Sequence, residues 1–146
     1  MAEGFLSVLE GAARVFGDTS FFYAALSPPD PHHSRASEIS QEILARGIEV
    51  VTSWEVIVEC VTLLRYRLGC STSQKFLVRV VPTLSVFYPG EADRLAAIEF
   101  YLKRSKGRRL SLCDAISYAV VSRRFSGCPC LSFDQDFAAL GLLVIR

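Results

Sequence analysis

Short apolar segments alternate with helical patterns along this chain, and the alternation limits the folds it can adopt. Strands are predicted at residues 14–17, 48–51, 84–88, 128–133 and 142–145. Helical periodicity covers residues 19–26, 32–46, 52–68, 71–80, 91–104, 111–124 and 134–140. The helices from residues 52 and 111 begin with capping-box patterns. Strands that alternate with helices form a parallel sheet covered on both faces, with right-handed crossovers. We therefore expect an α/β fold.

The length and composition fit one globular domain spanning residues 1–146. Hydrophobic residues make up 51% of the chain and charged residues 21%, which is not the composition of a disordered chain. The net charge of +1 predicts no overall attraction to nucleic acid, so any basic surface must be local. Residues 1–13 form a weakly helical lead-in without Lys or Arg, so the basic start of a signal peptide is missing. No apolar run reaches the roughly 18 residues that span a bilayer. We expect a soluble, cytoplasmic protein that does not bind membranes.

The five cysteines predict neither disulfides nor zinc. An odd number of cysteines in a chain without an export signal argues against a disulfide framework. Cys128 and Cys130 are closer together than the usual pair of zinc ligands. We interpret them as part of a buried strand, in which free cysteine behaves as a small hydrophobic residue.

Four acidic sites lie where one edge of the predicted sheet can gather them. Asp18 follows the first strand, Glu59 lies within the helix after the second, and Asp114 begins a later helix. Asp134, with Asp136 two residues further on, follows the fourth strand. In open α/β sheets, ligands bind beyond the carboxyl ends of the strands, where the strand order reverses. If the first and fourth strands are neighbours, Asp18 and Asp134 lie side by side.

Each acidic residue also has a purely structural explanation. Asp18 and Asp134 are of a type favoured at helix N-caps. Asp114 is the fourth residue of the capping box that begins at Ser111, and Asp136 would complement a helix dipole. Glu59 could reach solvent at the edge of its apolar helix, although glutamate is rarely buried without a partner or a metal.

A gathered set of carboxylates predicts a hard divalent cation. Like charges at one point raise at least one carboxyl pKa, and a cation relieves the repulsion. Mg²⁺ takes oxygen ligands and keeps several waters, so few carboxylates suffice. Such a site supports in-line phosphoryl displacement by an activated water. The sequence contains no Gly-rich phosphate loop and no His–Glu zinc motif that would compete with this interpretation.

A basic run leads directly into the helix that carries Asp114. Five of its seven residues are basic, namely Lys103, Arg104, Lys106, Arg108 and Arg109. Beside an acidic metal site, this run suits the phosphodiester backbone of RNA. A solvated loop is the alternative, since basic clusters on loops are common. Other arginines that could extend the patch are Arg65, Arg67, Arg123 and Arg124.

Taken together, these motifs resemble those of PIN-domain nucleases. The matching segments are Asp18-Thr19-Ser20, Glu59 in its apolar helix, Ser111-Leu112-Cys113-Asp114-Ala115 and Ser132-Phe133-Asp134-Gln135-Asp136-Phe137. The segments 30–33 and 63–69 resemble the branch that includes VapC-type toxins. The resemblance covers about residues 15–145.

The resemblance implies a three-layer α/β/α sandwich with a five-stranded parallel sheet, and a Mg²⁺- or Mn²⁺-dependent endoribonuclease. VapC-type enzymes are toxins that a cognate antitoxin silences, and they are usually homodimers. By motif match, Asp18 and Asp114 would be the principal metal ligands, and Glu59 would bind metal or orient the attacking water. Asp134 would complete the site, with Asp136 as the second choice.

The motif match also assigns supporting roles to Thr19, Ser20 and Ser111, which would hold the carboxylates in place. The chain departs from the family pattern at Gly17, where a branched residue is usual, and at Cys113 and Ser132, where threonine is common.

Two other functions are consistent with an acidic strand end. A non-catalytic PIN-like module would bind without cleaving. An Asp-based phosphatase or receiver domain shares the first strand and its aspartate, but the phosphatases need a second Asp where this chain has Ser20.

Overall fold

The computed structural model describes residues 2–146, in which strands and helices alternate as predicted. The strands are β1 (Arg14–Gly17), β2 (Glu49–Ser53), β3 (Ser85–Phe87), β4 (Cys130–Leu131) and β5 (Val144–Ile145). The helices are α1 (Ala2–Leu9), α2 (Thr19–Leu26), α3 (His33–Arg46), α4 (Trp54–Leu68), α5 (Cys70–Lys75), α6 (Glu91–Arg104), α7 (Leu112–Arg124) and α8 (Gln135–Ala138). Within this range, no helix is both long and apolar enough to cross a membrane.

The five strands form a parallel sheet in the order β3-β2-β1-β4-β5, with helices packed against it. Phe16 of β1 lies opposite Val51 of β2 on one side and Cys130 of β4 on the other. The strand order therefore reverses between β1 and β4, which places the chain segments after these two strands beside each other. The predicted α/β sandwich and the adjacency of the first and fourth strands are both confirmed.

The core surrounds the central strand. Val15 and Phe16 of β1 are fully buried, as are Cys130 and Leu131 of β4. The lead-in contributes to the same core, because Leu9 at the end of α1 is only 1% exposed. Met1, the first residue of the predicted lead-in, lies outside the described residues.

Several element boundaries differ from the prediction, and two of the differences concern the helices that follow β2. The helix predicted from a capping box at Thr52 begins one residue later, because Ser53 is its N-cap and accepts a hydrogen bond from the Val56 amide (3.2 Å). Thr52 instead donates its hydroxyl to the carbonyl of Gly17 (2.8 Å), which ties β2 to β1. The helix predicted at residues 71–80 ends as α5 at Lys75 and continues as a π-helical turn, Phe76–Val80.

Gly17 is required where β1 ends, because the ring of Phe22 occupies the space of a side chain. A Cβ built at Gly17 would overlap that ring, lying 2.8 Å from Cε2. Real Cβ atoms do not approach so closely. Gly17 therefore replaces the usual branched residue because the ring of Phe22 fills the space that a side chain would need.

Candidate active site

Asp18 lies at the carboxyl end of β1, and its side chain is held by hydroxyl groups. The residue is 3% exposed. Its Oδ2 accepts hydrogen bonds from Ser20 Oγ (2.9 Å) and from Ser132 Oγ (2.8 Å). Asp18 occupies the N-cap position of α2 but makes no side-chain capping bond. The interpretation of Asp18 as a simple helix cap is therefore wrong.

The two serines join the segment after β4 to the segment after β1. Ser20 Oγ accepts a hydrogen bond from the Phe133 amide (2.9 Å), and Ser132 Oγ accepts one from the Asp134 amide (3.2 Å). In the sequence, Ser132 was noted as part of the fourth motif and as a departure from the family pattern, but no role was assigned to it. A hydroxyl residue at the end of the neighbouring strand was the signal that could have placed it in the site.

Thr19 supports Asp18 differently from Ser20. Its backbone amide hydrogen-bonds to the Asp18 carboxylate, which lowers the pKa of that carboxyl group. The Thr19 hydroxyl is buried and has no hydrogen-bond partner in residues 2–146. Burial is the largest effect on Asp18 and raises its pKa, while the serine hydrogen bonds oppose that rise.

Asp114 is a helix-capping residue and also belongs to the acidic group. It forms a reciprocal capping box at the start of α7: Ser111 N donates to Asp114 Oδ2, and Asp114 N donates to Ser111 Oγ, both at 3.0 Å. Burial raises the pKa of Asp114 to about 7, against the Ser111 hydrogen bonds, which lower it. The negative charges of Asp18 and Asp134 raise it further. The capping-box explanation is therefore correct, and Asp114 also interacts electrostatically with Asp18 and Asp134. Its role as a metal ligand stays a prediction.

Glu59 faces the same group from α4. Its charge contributes to the raised pKa of Asp18, and it interacts with Cys113 of α7. Burial raises the pKa of the Cys113 thiol, which therefore stays protonated and donates a hydrogen bond to the Glu59 carboxylate. The Glu59 side chain is half-buried, so it is neither fully exposed at the helix edge nor enclosed in the core. The contact with Cys113 was not predicted from the sequence.

Asp134 also combines a cap with membership of the group. Its Oδ1 accepts hydrogen bonds from the amides of Asp136 (2.8 Å) and Phe137 (3.4 Å) at the start of α8. The negative charge of Asp134 also raises the pKa of Asp114, so the two carboxylates belong to the same acidic group. Asp136 lies in the first turn of α8, as the helix-dipole interpretation expects. We refer to Asp18, Glu59, Asp114 and Asp134 as the acidic cluster.

Comparison with known proteins identifies the fold family. A family model described as the PIN domain matches residues 15–142. The chain belongs to the PIN domain family. Among solved structures, VapC20 of Mycobacterium tuberculosis, described as a sarcin–ricin loop cleaving toxin, is 30% identical to this PIN domain, with a TM-score of 0.77. The match covers 90% of this chain and 98% of VapC20.

More distant structures show the fold alone. FitAcB from Neisseria gonorrhoeae is 16% identical, with a TM-score of 0.63, over 90% of this chain and 96% of that one. VapBC2 from Rickettsia felis, bound to a DNA fragment from its promoter, is 13% identical, with a TM-score of 0.62 and the same coverage. The search of curated proteins found no match.

The acidic cluster of this PIN domain has the donor chemistry of a hard cation site. In residues 2–146, no three His, Cys, Asp or Glu side chains are arranged to hold an ion by themselves. Mg²⁺ needs only one or two protein carboxylates, because water completes its coordination. The raised pKa values of Asp18 and Asp114 mark carboxylates whose charge a cation would stabilise. The hydroxyl of the next residue, Thr19, is a buried oxygen without a hydrogen-bond partner in the described residues. The residues present therefore fit a divalent ion.

The basic run of this PIN domain divides into two parts. Lys103 and Arg104 end α6 and are engaged there: Lys103 Nζ lies 2.6 Å from Glu99 Oε1, and the Arg104 guanidinium lies 5.9 Å from the Phe100 ring centroid. The remaining basic residues are exposed in the loop that enters α7 just before its capping box, namely Lys106, Arg108 and Arg109.

The arginines suggested as an extension of this patch are mostly committed elsewhere. Arg123 and Arg124 bind the buried carboxylate of Asp93, at the end of α7 opposite to Asp114. The Arg67 guanidinium lies 5.5 Å from the centroid of the Tyr23 ring. The idea that Arg123 and Arg124 extend the patch is therefore wrong.

Proposed function

We propose that this PIN domain is a metal-dependent endoribonuclease and the toxin of a type II toxin–antitoxin pair. The observation that carries the proposal is the acidic cluster at the point where the strand order reverses. Burial and the charges of neighbouring cluster members raise the pKa values of Asp18 and Asp114, and these two carboxylates are oriented by Ser20, Ser111 and Ser132. The 30% identity to a toxin described as cleaving the sarcin–ricin loop supports RNA as the substrate.

Each member of the acidic cluster has a role in this proposal. Asp18 and Asp114 hold the ion, Asp134 completes the site, and Glu59 orients the attacking water. A bound Mg²⁺ or Mn²⁺ supplies an activated water and stabilises the leaving oxygen. Ser20 and Ser132 fix the Asp18 carboxylate, which reduces the conformational freedom lost when the ion and the RNA bind.

The same proposal assigns a role to the exposed basic residues near the site and to the partners of the protein. The exposed cations Lys106, Arg108 and Arg109 bind RNA phosphates near α7. As a toxin, the protein acts in the cytoplasm, forms a homodimer and is silenced by a cognate antitoxin. Co-expression with the product of a small neighbouring gene tests the last point, because a true antitoxin restores growth to cells that express this chain.

The central test is cleavage of labelled RNA. A single-stranded RNA, a hairpin with the sarcin–ricin loop sequence and a DNA of matching sequence are incubated with chelator, Mg²⁺ or Mn²⁺. We expect cleavage of RNA only, with metal only, and its loss in Asp18→Asn. Glu91→Gln is the matched control. This exposed acid begins α6, whose first turn lies near Arg123 and Arg124, at the end of α7 opposite to Asp114. Cleavage by Asp18→Asn at the wild-type rate, or none by the wild type with either metal, refutes the nuclease proposal.

The same assay distinguishes the two candidates for the fourth acid. Asp134→Asn should abolish most cleavage, because the Asp134 charge acts on Asp114. Asp136→Asn should retain cleavage, because Asp136 lies in the first turn of α8. The reverse result would assign the role to Asp136.

A further inference from the structure

Three aromatic rings form a series that runs from the core to the surface beside the acidic cluster. The Phe133 ring packs against Phe21, with centroids 6.2 Å apart and 23° between the planes. It packs more closely against His32, at 4.5 Å and 4°. Phe21 is buried, Phe133 is half-buried and His32 is exposed. The series therefore ends on an imidazole ring at the surface.

This series is attached to Asp18 through the middle ring. The Phe133 amide donates to Ser20 Oγ, and Ser20 Oγ donates to Asp18 Oδ2, both at 2.9 Å. Phe133 also lies between Ser132, which binds Asp18, and Asp134, which acts on Asp114. The aromatic series and the acidic cluster therefore share one short segment of backbone.

The backbone around His32 is fixed before any ligand binds. The His32 amide donates to Asp30 Oδ1 (2.8 Å), and its carbonyl accepts from the Ala36 amide (2.9 Å). The next residue, His33, places Nδ1 2.7 Å from the carbonyl oxygen of Ala24, which ties this loop to α2. A ring presented on such a backbone loses little conformational freedom on binding.

We propose that His32 is a stacking platform for a base of the RNA substrate, whose adjoining phosphodiester lies at the acidic cluster. Every nucleobase has a π-face, and single-stranded RNA is commonly held by stacking on aromatic side chains. The cluster alone repels any anion, but a nucleic acid whose phosphate is held there by a bound divalent ion necessarily places a base close by. The inference deepens the proposed nuclease function, on which it rests.

If His32 stacks on a base, RNA affinity depends on an aromatic ring at position 32 and not on a positive charge there. In His32→Leu, KM for a short single-stranded RNA should rise about 5- to 150-fold, the range equivalent to ~1–3 kcal/mol per stacked base. His32→Tyr should keep the wild-type KM, and His32→Lys should resemble His32→Leu. The values of kcat should stay within a few-fold of wild type, because the ring does not touch the reacting atoms. Ser34→Ala, an exposed neighbour without a ring, is the matched control.

A direct reading uses RNA that carries 2-aminopurine, mixed rapidly with the protein and Mg²⁺ so that binding is recorded before cleavage proceeds. Stacking quenches the fluorescence of this base, so we expect quenching by the wild type and His32→Tyr and little by His32→Leu. The quenching should persist at high salt, because stacking is not an ionic contact. If His32→Leu binds and quenches as the wild type does, or only its melting temperature falls, the ring merely covers Phe133 and the inference is wrong.

Failure of the nuclease proposal is separately visible. It shows as the absence of metal-dependent cleavage by the wild type, before any variant is compared. Quenching that depends on a ring at position 32 would then still support the platform, in a protein that binds RNA without cleaving it.

Discussion

Neutralising Asp114 should stabilise the metal-free protein at neutral pH, although the residue caps a helix. Its pKa is raised from 3.8 to about 7, with burial as the main cause and the charges of Asp18 and Asp134 adding to it. A carboxyl group whose folded pKa lies above its unfolded value binds its proton more tightly when folded. The free energy of unfolding therefore decreases as pH rises from about 4 to about 7, and is level above that range.

The structure sets the size of this effect. The difference between 3.8 and about 7 corresponds to an upper limit of about 4 kcal/mol, at about 1.4 kcal/mol per pKa unit. Against this, Asp114→Asn loses about 0.3–1 kcal/mol of favourable interaction with the dipole of α7. The asparagine oxygen can still accept the hydrogen bond from the Ser111 amide. We expect the variant to be more stable than wild type by about 1–3 kcal/mol at about pH 8 in chelator.

The assay is a set of melting curves, recorded with chelator and with Mg²⁺, at about pH 8 and about pH 5. Each kcal/mol of stability should shift the melting temperature by about 2–4 °C in a chain of this length. The advantage of Asp114→Asn should shrink or reverse at the lower pH, where wild-type Asp114 is protonated. Mg²⁺ at a hundredfold excess over its dissociation constant should add about 2.7 kcal/mol to the wild type and much less to the variant.

Asp136→Asn is the matched control, because it removes a carboxylate from the first turn of α8 without neutralising a member of the acidic cluster. It should show no gain in stability at about pH 8 in chelator. The reasoning is refuted if Asp114→Asn melts well below wild type in chelator but responds to Mg²⁺ as the wild type does. Asp114 would then be a helix cap and not a metal ligand.

Three further predictions concern other parts of the molecule. Gly17→Ala should lower the free energy of unfolding by about 1–3 kcal/mol through overlap with Phe22. Adding Phe22→Leu should recover part of this loss, and additive effects in urea unfolding would contradict the overlap. Ser132→Ala should weaken Mg²⁺ binding, because a hydroxyl that orients a buried carboxylate is lost; an unchanged dissociation constant by calorimetry would exclude this role. Arg108→Ala with Arg109→Ala should weaken RNA binding and reduce its salt slope by about 0.7 per lost phosphate contact, whereas a wild-type slope would indicate a solvated loop.

The strand order near the site could be predicted because it depends on a few strong rules. Short apolar runs that alternate with helices require a parallel sheet, and such a sheet gathers the ends of its strands at one edge. The ends of β4 could not be predicted in the same way. The predicted strand covers residues 128–133, whereas the structure has Cys130–Leu131, and the next two residues, Ser132 and Phe133, bind Asp18 and Ser20. Their partners lie more than a hundred residues away in the sequence, where no local pattern reveals them.

The same limit applies within the site. The capping box of α7 is a local pattern, so the pairing of Ser111 with Asp114 could be predicted and is observed. The contact between Glu59 and Cys113 joins α4 to α7, and it depends on how those helices pack. The cysteine at position 113 was noted as a departure from the family pattern, and its thiol is the group that hydrogen-bonds to Glu59.

Helix capping and membership of the acidic cluster are complementary roles for Asp114 and Asp134. In each case the hydrogen bonds from backbone amides go to one named carboxylate oxygen, Oδ2 in Asp114 and Oδ1 in Asp134. Those bonds fix the rotamer of the side chain, so its second oxygen is oriented without further contacts. Asp18 is the most buried of the three and makes no capping bond to the second or third residue of α2. The hydroxyl groups of Ser20 and Ser132 orient it, together with the Thr19 amide. A substitution that keeps the cap but removes the charge therefore separates the two roles at Asp114. At Asp18, the loss of the Ser20 or Ser132 hydroxyl disturbs the orientation of the carboxylate while its charge remains.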